Sequence, residues 1–200
     1  MLDTPNVSRQ TKRREATRRE ILDAAWEVAT EQGLAQITLR EVAGRVGMQA
    51  PSLYSHFESK HAIHDAMFGQ AWTEYLETLR VAESAAPTSP RAMLRHLART
   101  FFEFSASNLA RYQLMNQRTI PGFEPSAESY APAVAALELL REQLAGIGIT
   151  REEDVDLSTA LMGGLVDAQL ANDPGGDRWA RLVERTTEMF ADNVGLPPEA

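Results

Sequence analysis

The chain has 200 residues, 44% of them hydrophobic and 24% charged, with a formal net charge of −8 and no cysteine. That balance excludes a wholly disordered or collagen-like chain, and the missing thiols exclude disulfides, thiolate metal sites and a cysteine nucleophile. No apolar run approaches the ~18 residues of a membrane span, and the basic N-terminus lacks the apolar core of a secretory signal, so a cytoplasmic protein with no membrane partner is expected.

The pattern is helical almost throughout, and no stretch alternates strictly enough for a sheet. Residues 1–10 read as a flexible tail. A first helix is expected from Thr11 to Gln32, with Ile21, Ala25, Val28 and Ala29 on one face and Gly33 as its stop. Thr38-Leu39-Arg40-Glu41 is a capping box, and Ile37 with Val42 has the spacing of a hydrophobic staple. Leu39, Val42, Ala43 and Val46 then give a two-turn amphipathic helix that Gly47 ends. Pro51 opens a very short helix through Phe57.

From Ser59 a long helix is expected to Glu83, with Ile63, Met67, Ala71, Tyr75 and Leu79 inward. Ser89 and Pro90 start the next, striped by Met93, Leu97, Phe101 and Phe104. A short helix over 109–117 and a loop over 119–131 follow. Pro132–Ala145 is expected to be helical with Val134, Leu137 and Leu144 inward. Thr150-Arg151-Glu152-Glu153 reads as a second capping box, opening a helix to Ala171. After a turn at 172–176, Asp177 is expected to cap a last helix carrying Trp179, Leu182, Val183, Thr186 and Phe190, which Gly195 stops. The fold class is all-α, about nine helices without an internal repeat. Its boundary falls near residue 58, between a three-helix unit over 11–58 and a larger helical domain over 59–200.

The charge is uneven. Residues 1–60 hold nine Lys and Arg against eight Asp and Glu, while the remainder holds eleven against twenty. Arg9, Lys12, Arg13, Arg14, Arg18 and Arg19 crowd the first 19 residues. A basic N-terminus on an acidic body suits a nucleic-acid partner, and a solvated tail is the plainer alternative. Residues 37–60 favour the first. Two capped helices joined by a glycine turn make a helix-turn-helix, whose small core uses Leu39, Val42, Ala43, Val46, Leu53 and Phe57. Pro51, Ser52, Tyr54, Ser55 and His56 are left outside, hydrogen-bonding or planar groups without an acid, suited to a major groove. Lys60 adds a point charge for a phosphate.

Gly33-Leu34, the run Thr38–Ala43, Val46-Gly47, the run Pro51–Phe57 and Ser59-Lys60 together resemble the N-terminal signature of the tetracycline-repressor (TetR) family, over roughly residues 14–66. That family consists of all-helical homodimeric transcriptional regulators, mostly repressors, released from DNA when a small ligand enters the C-terminal domain. The resemblance implies that Arg40 approaches a base, that Ala50, Pro51 and Ser52 face the groove, that Tyr54 and His56 reach phosphates or bases, and that Lys60 and Thr38 touch phosphates. Ala50 departs from relatives that carry a polar base reader there; its methyl can meet a thymine but cannot specify adenine. The implied partners are double-stranded palindromic operator DNA, a second copy of the chain and an unidentified small-molecule ligand. The family's last two helices build the dimer interface, which assigns Leu161, Gly164, Leu165, Trp179, Val183 and Phe190 to it.

Several large side chains of the second domain are candidates for a ligand pocket: Met67, Tyr75, Phe101, Phe104, Tyr112, Met115, Phe123 and Met162, with Gln169, Asn116 or Arg118 to orient the ligand. At helical spacing such a residue is more often plain core than pocket. His61 and His64 stand at i, i+3, but no third ligand lies near them, so no metal and no cofactor are expected. There is no nucleophile elbow, phosphate-binding glycine loop or dinucleotide fingerprint, so no enzyme is expected. Two other functions share this fold reading: a regulator whose second domain binds a protein, and a helical enzyme.

Overall fold

Short polar side chains start most of the helices. In the computed structural model, which describes residues 9–199, there are nine α-helices among the described residues and no strand. They are α1 (Arg9–Gln32), α2 (Leu39–Arg45), α3 (Ala50–Tyr54), α4 (Lys60–Glu83), α5 (Pro90–Ala106), α6 (Leu109–Asn116), α7 (Ala127–Gly146), α8 (Glu152–Asn172) and α9 (Val183–Asn193). Thr38, Ser59, Ser89, Asn108 and Ser126 each accept a hydrogen bond from a backbone amide three residues on, filling an orphan donor of α2, α4, α5, α6 and α7. Two 3-10 turns, Leu34–Gln36 and Ala180–Leu182, complete the regular structure. No helix among the described residues is long and apolar enough to cross a membrane.

Arg9 and Gln10 belong to α1, so the expected tail is two residues too long; its first eight residues lie outside the described ones. The larger correction is α7. It starts at Ala127, inside the expected loop, because Ser126 caps it, and Pro132 removes a single donor near its start. Its buried face holds Ala133, Ala136, Gln143 and Leu144, whereas Val134 and Leu137 are exposed. The reason is close packing: a Cβ on Gly69 of α4 would sit 3.2 Å from the Cα of Ser129 of α7. At such a distance small residues belong at the contact and bulky ones outside.

Near the C-terminus, Thr150 does not cap α8. Ile149 is buried and its amide reaches Leu144 of the preceding helix, so Arg151 takes the cap position without a side-chain bond. Glu152, Glu153 and Asp154 place negative charge in the first turn instead. Asp177 makes no side-chain cap either. Gln169 accepts from the amides of Trp179 and Ala180 at 3.0 and 3.2 Å and donates to the carbonyls of Asp173 and Gly176. This bracing holds 177–182 out of the helix, and α9 begins only at Val183.

α4 joins the two halves. Ile63, Met67 and Phe68 are buried with Ile21, Val28, Val42, Leu53 and Phe57, a cluster that also takes in Ala110, Leu114 and Ile120 from α6 and the loop after it. Tyr75, Leu76 and Leu79 of the same helix pack with Ala136 of α7. Asp65 fixes the start of α7, accepting from the Ser126 amide at 2.6 Å and from the hydroxyls of Ser126 and Ser129, both at 2.9 Å. On α5, Arg91 bonds Glu188, Asp192 and the carbonyls of Leu196 and Pro197 at 2.6–2.8 Å, pinning the C-terminal segment.

His64 is the one buried titratable group at the joint between α4 and the short helices. It is 1% exposed; its Nε2 lies 3.3 Å from the Leu34 carbonyl, and its Nδ1 is enclosed without a partner. Burial pushes its pKa down to about 4, against the Leu34 hydrogen bond, with His61 and Lys60 adding to the shift. Unfolded, the imidazole titrates near 6.5, so between those values the unfolded chain holds a proton that the native chain does not. Stability present above about pH 6.5 is therefore lost as pH falls toward 4, by about 2–3 kcal/mol from this group. Urea unfolding at the two ends of that range should show a steeper acid loss in the natural protein than in His64→Gln, which does not titrate.

Candidate nucleic-acid interface and ligand cavity

α2, its following turn and α3 form a helix-turn-helix. Gly47, at φ 66°, lets the chain reverse while its amide donates to the Gly44 carbonyl at 3.3 Å and the Met48 amide to Ala43 at 2.9 Å. Ile37, Val42, Ala43, Leu53 and Phe57 are buried beneath, with Leu39 and Val46 packed against them. Glu41 completes only half of the expected capping box: its amide donates to Thr38, while its carboxylate lies 3.6 Å from Arg45.

Of the residues expected to meet DNA, Thr38, Arg40, Pro51, Ser52, Tyr54 and Lys60 are exposed together, Tyr54 by 54%. Ala50 is half-buried and packs against the core. His56 is half-buried too, with Nδ1 enclosed and unpartnered. Arg40 and Lys60 form no ion pair among the described residues, whereas Arg45 is held by Glu27, Glu31 and Glu41.

Two basic residues do something the sequence did not disclose. Arg14 donates to the Ser55 carbonyl at 3.2 Å, Arg18 donates to that of His56, and the Arg18 guanidinium sits 4.0 Å over the Phe57 ring. They stand one turn apart on α1, a spacing that places both on one face. They therefore seat the end of α3 instead of forming a free basic tail.

Residues 21–67 match the model of bacterial regulatory proteins, tetR family. This helix-turn-helix region is that of the TetR family. The HTH-type transcriptional repressor KstR2 of Rhodococcus jostii is 32% identical over 113 residues, 55% of this chain and 55% of the relative, so the match spans about half of that protein's length. The tetracycline repressor protein class A from transposon 1721 of Escherichia coli is 27% identical over 161 residues, 79% of this chain and 69% of the relative. The transcriptional regulator FadR from Bacillus subtilis, solved in complex with stearoyl-CoA, shares the fold with a TM-score of 0.69 at 19% identity, covering 86% of this chain and 96% of that one.

In the second half of the chain, an apolar cavity of about 140 Å³ lies between α4, α5, α7, α8 and α9, with the end of α6 at its edge. Of the expected pocket residues, Tyr75, Phe101 and Met162 line it. The other six do not. Met67 is core between α4 and α1. Phe104 stacks under Arg111 and against Tyr75, and Met115 packs beside them. Tyr112 donates to the Gly163 carbonyl at 3.3 Å. Phe123 covers His61 and His64, and Gln169 braces the 173–180 turn. Asn116 reaches the wall and Arg118 does not. Leu97, Leu144 and Thr187 line it and were missed, since nothing in their spacing distinguishes them from core. Among the described residues no three metal-ligating side chains come together.

The residues expected at a dimer interface divide in two. Val183 and Phe190 are buried in the chain's own core, which corrects their assignment: neither can face a second copy. Leu161, Leu165 and Trp179 are half-buried, and Gly164 is exposed with open space where a Cβ would point. Leu157 of α8 and Met189 of α9, 41% and 63% exposed, are large apolar groups on these helices.

The cap of α2 gives a direct test of local design. Thr38→Ala removes the acceptor of the Glu41 amide and should lower stability by about 1 kcal/mol. Urea unfolding compared with the natural chain reads this loss.

Proposed function

We propose that this chain is a homodimeric, sequence-specific DNA-binding transcriptional regulator, a repressor released from a palindromic operator by a small-molecule ligand. The observation that carries it is the helix-turn-helix. Its apolar residues are consumed inward, and its outer face from Val46 to Phe57 holds no acid in a chain of net charge −8. On this reading residues 11–58 are the DNA-binding domain and 59–200 the ligand-binding and dimerisation domain. Pro51, Ser52 and Ala50 approach base edges, Arg40 reads a base, and Thr38, Tyr54, His56 and Lys60 position the backbone. KstR2 is named a repressor, and the FadR neighbour holds an acyl thioester, which supports repression and a ligand.

Selection of bound fragments from genomic DNA would supply an operator for testing this assignment by fluorescence anisotropy. Tyr54→Ala and Lys60→Ala should weaken binding to all sequences alike. Arg40→Ala should cost about 1–3 kcal/mol and relax preference at one base position. Unchanged affinity in folded Tyr54 and Lys60 variants would refute the assignment.

A single helix-turn-helix reads too few bases for useful specificity, so a two-fold pair reading half-sites ~34–36 Å apart is required. The interface is placed on the outward faces of α8 and α9, around Leu157, Gly164 and Met189, where the open space at Gly164 admits close helix approach. Gly164→Trp places its Cβ in open space and should shift the protein from dimer to monomer in sedimentation at micromolar concentration.

A further inference from the structure

The wall of the cavity has a definite chemistry. No Asp, Glu, Lys, Arg or His lines it. Most of its polar groups are already engaged with neighbouring backbone. Asn116 donates to the Tyr112 carbonyl at 3.2 Å, Ser158 and Thr159 donate to Val155 at 2.8 and 3.0 Å, and Thr187 donates to Glu184 at 2.8 Å. Tyr75 differs. It is 6% exposed, its ring is held edge-on by Trp72 and Phe101 with centroids 5.9 Å away, and its hydroxyl has no hydrogen-bond partner. Burial raises the phenol's pKa well above its ordinary value, so the group stays a neutral donor.

The approach to the cavity is equally selective. Its exposed lining residues are Asn116 at the end of α6, Leu137 on α7 and Thr159 on α8, which mark where it opens. The two long helices beside that opening are acidic. Glu138, Glu142 and Asp156 stand exposed on them, and Arg141, the one base within either helix, is bound to Glu152.

We propose that this cavity takes an uncharged, largely apolar molecule carrying one hydrogen-bond acceptor, which receives the Tyr75 hydroxyl proton in a hydrogen bond. The proposal rests on the reading above that the cavity is the effector site. A carboxylate or ammonium drawn inside finds no counter-charge, and an unpaired buried charge is far costlier than a methylene's burial is favourable. An anionic head left outside meets the acidic helices. A neutral acceptor pairs with the Tyr75 hydroxyl, an otherwise unpartnered donor whose neglect carries a desolvation penalty.

The test uses three probes of equal chain length, octan-1-ol, octanoate and octylammonium, titrated into the full-length protein near neutral pH. Calorimetry and tryptophan emission, to which Trp72 at the wall contributes, report occupancy. Octan-1-ol should bind about ten-fold or more tightly than either ion. Tyr75→Phe should weaken it about five-fold, as expected for one neutral hydrogen bond. Ala136→Leu, which adds bulk at the wall, should weaken it as well. Octanoate or octylammonium equalling the alcohol would overturn the ligand class while leaving an effector cavity standing. Silence from all three probes would sink both the class and the effector reading. Natural affinity for the alcohol in Tyr75→Phe would remove the proposed hydrogen bond, and in a folded Ala136→Leu it would place the binding elsewhere.

Discussion

One helix belongs to two cores, and the rest of the molecule is arranged around that fact. The first turns of α4 bury Ile63, Met67 and Phe68 against α1–α3, and its later turns bury Tyr75, Leu76 and Leu79 against α7. α1–α3 cannot enclose a core of their own size without it. Cutting the chain after residue 58 would therefore remove one wall of the DNA-facing unit. The same helix is tied to α7 by Asp65 and by the close passage of Gly69 past Ser129. Its orientation is set by packing on both sides, which makes it a rigid link between the exposed helix-turn-helix and the cavity.

Electrostatics follows a similar economy. An acidic chain can face a polyanion only if positive charge is placed where it is useful and neutralised where it is not. Arg45 is surrounded by Glu27, Glu31 and Glu41 and offers little outward field. Arg14 and Arg18 are turned inward to carbonyls at the end of α3, where they fix the helix that presents Ser52 and Tyr54. The acid is concentrated in the second half, in helices remote from this face. Net charge alone is thus a poor guide to partner, because the potential at the contacting surface decides encounter.

Local features were the legible ones. Caps at Thr38, Ser59 and Ser89, the glycine stop at Gly47 and the inward stripe of α4 are all written within a few residues, and a local bias survives folding. The start and facing of α7 were not legible. Its periodicity offers Val134 and Leu137 as an apolar face, but close approach to Gly69 selects Ala133 and Ala136. The second capping box failed for a related reason: burial of Ile149 set where α8 begins. The cavity wall is a property of six helices at once, so Leu97 and Thr187 carry no sign of it in sequence. Contacts such as Arg91 with Asp192, 101 residues apart, are equally silent. The helix-turn-helix residues stood out because polar, acid-free exposure follows once the neighbouring apolar residues are placed inward.

The geometry of α4 also bears on how an occupied cavity can act on the short helices. The cavity meets α4 at Trp72 and Tyr75, and neither residue touches the recognition face. Trp72 also packs against Phe68 and the core under the helix-turn-helix, while the close contact of Gly69 with Ser129 leaves little free volume on the α7 side. Tilting the whole helix needs no side-chain relay. At 1.5 Å per residue, Tyr75 lies about 9 Å beyond Gly69 and Lys60 about 13 Å before it. With that contact as fulcrum, a shift of about 1 Å at Tyr75 becomes roughly 1.5 Å at Lys60, in the opposite sense. In a two-fold pair the displacements of both recognition helices add, and half-site spacing is the quantity to which a palindrome is most sensitive. A ligand then lowers operator affinity only to the extent that it fits the tilted state better, and the operator must weaken the ligand by the same factor. Small-residue packing between α4 and α7, which defeated the reading of α7 from sequence, is on this view what makes the helix a lever.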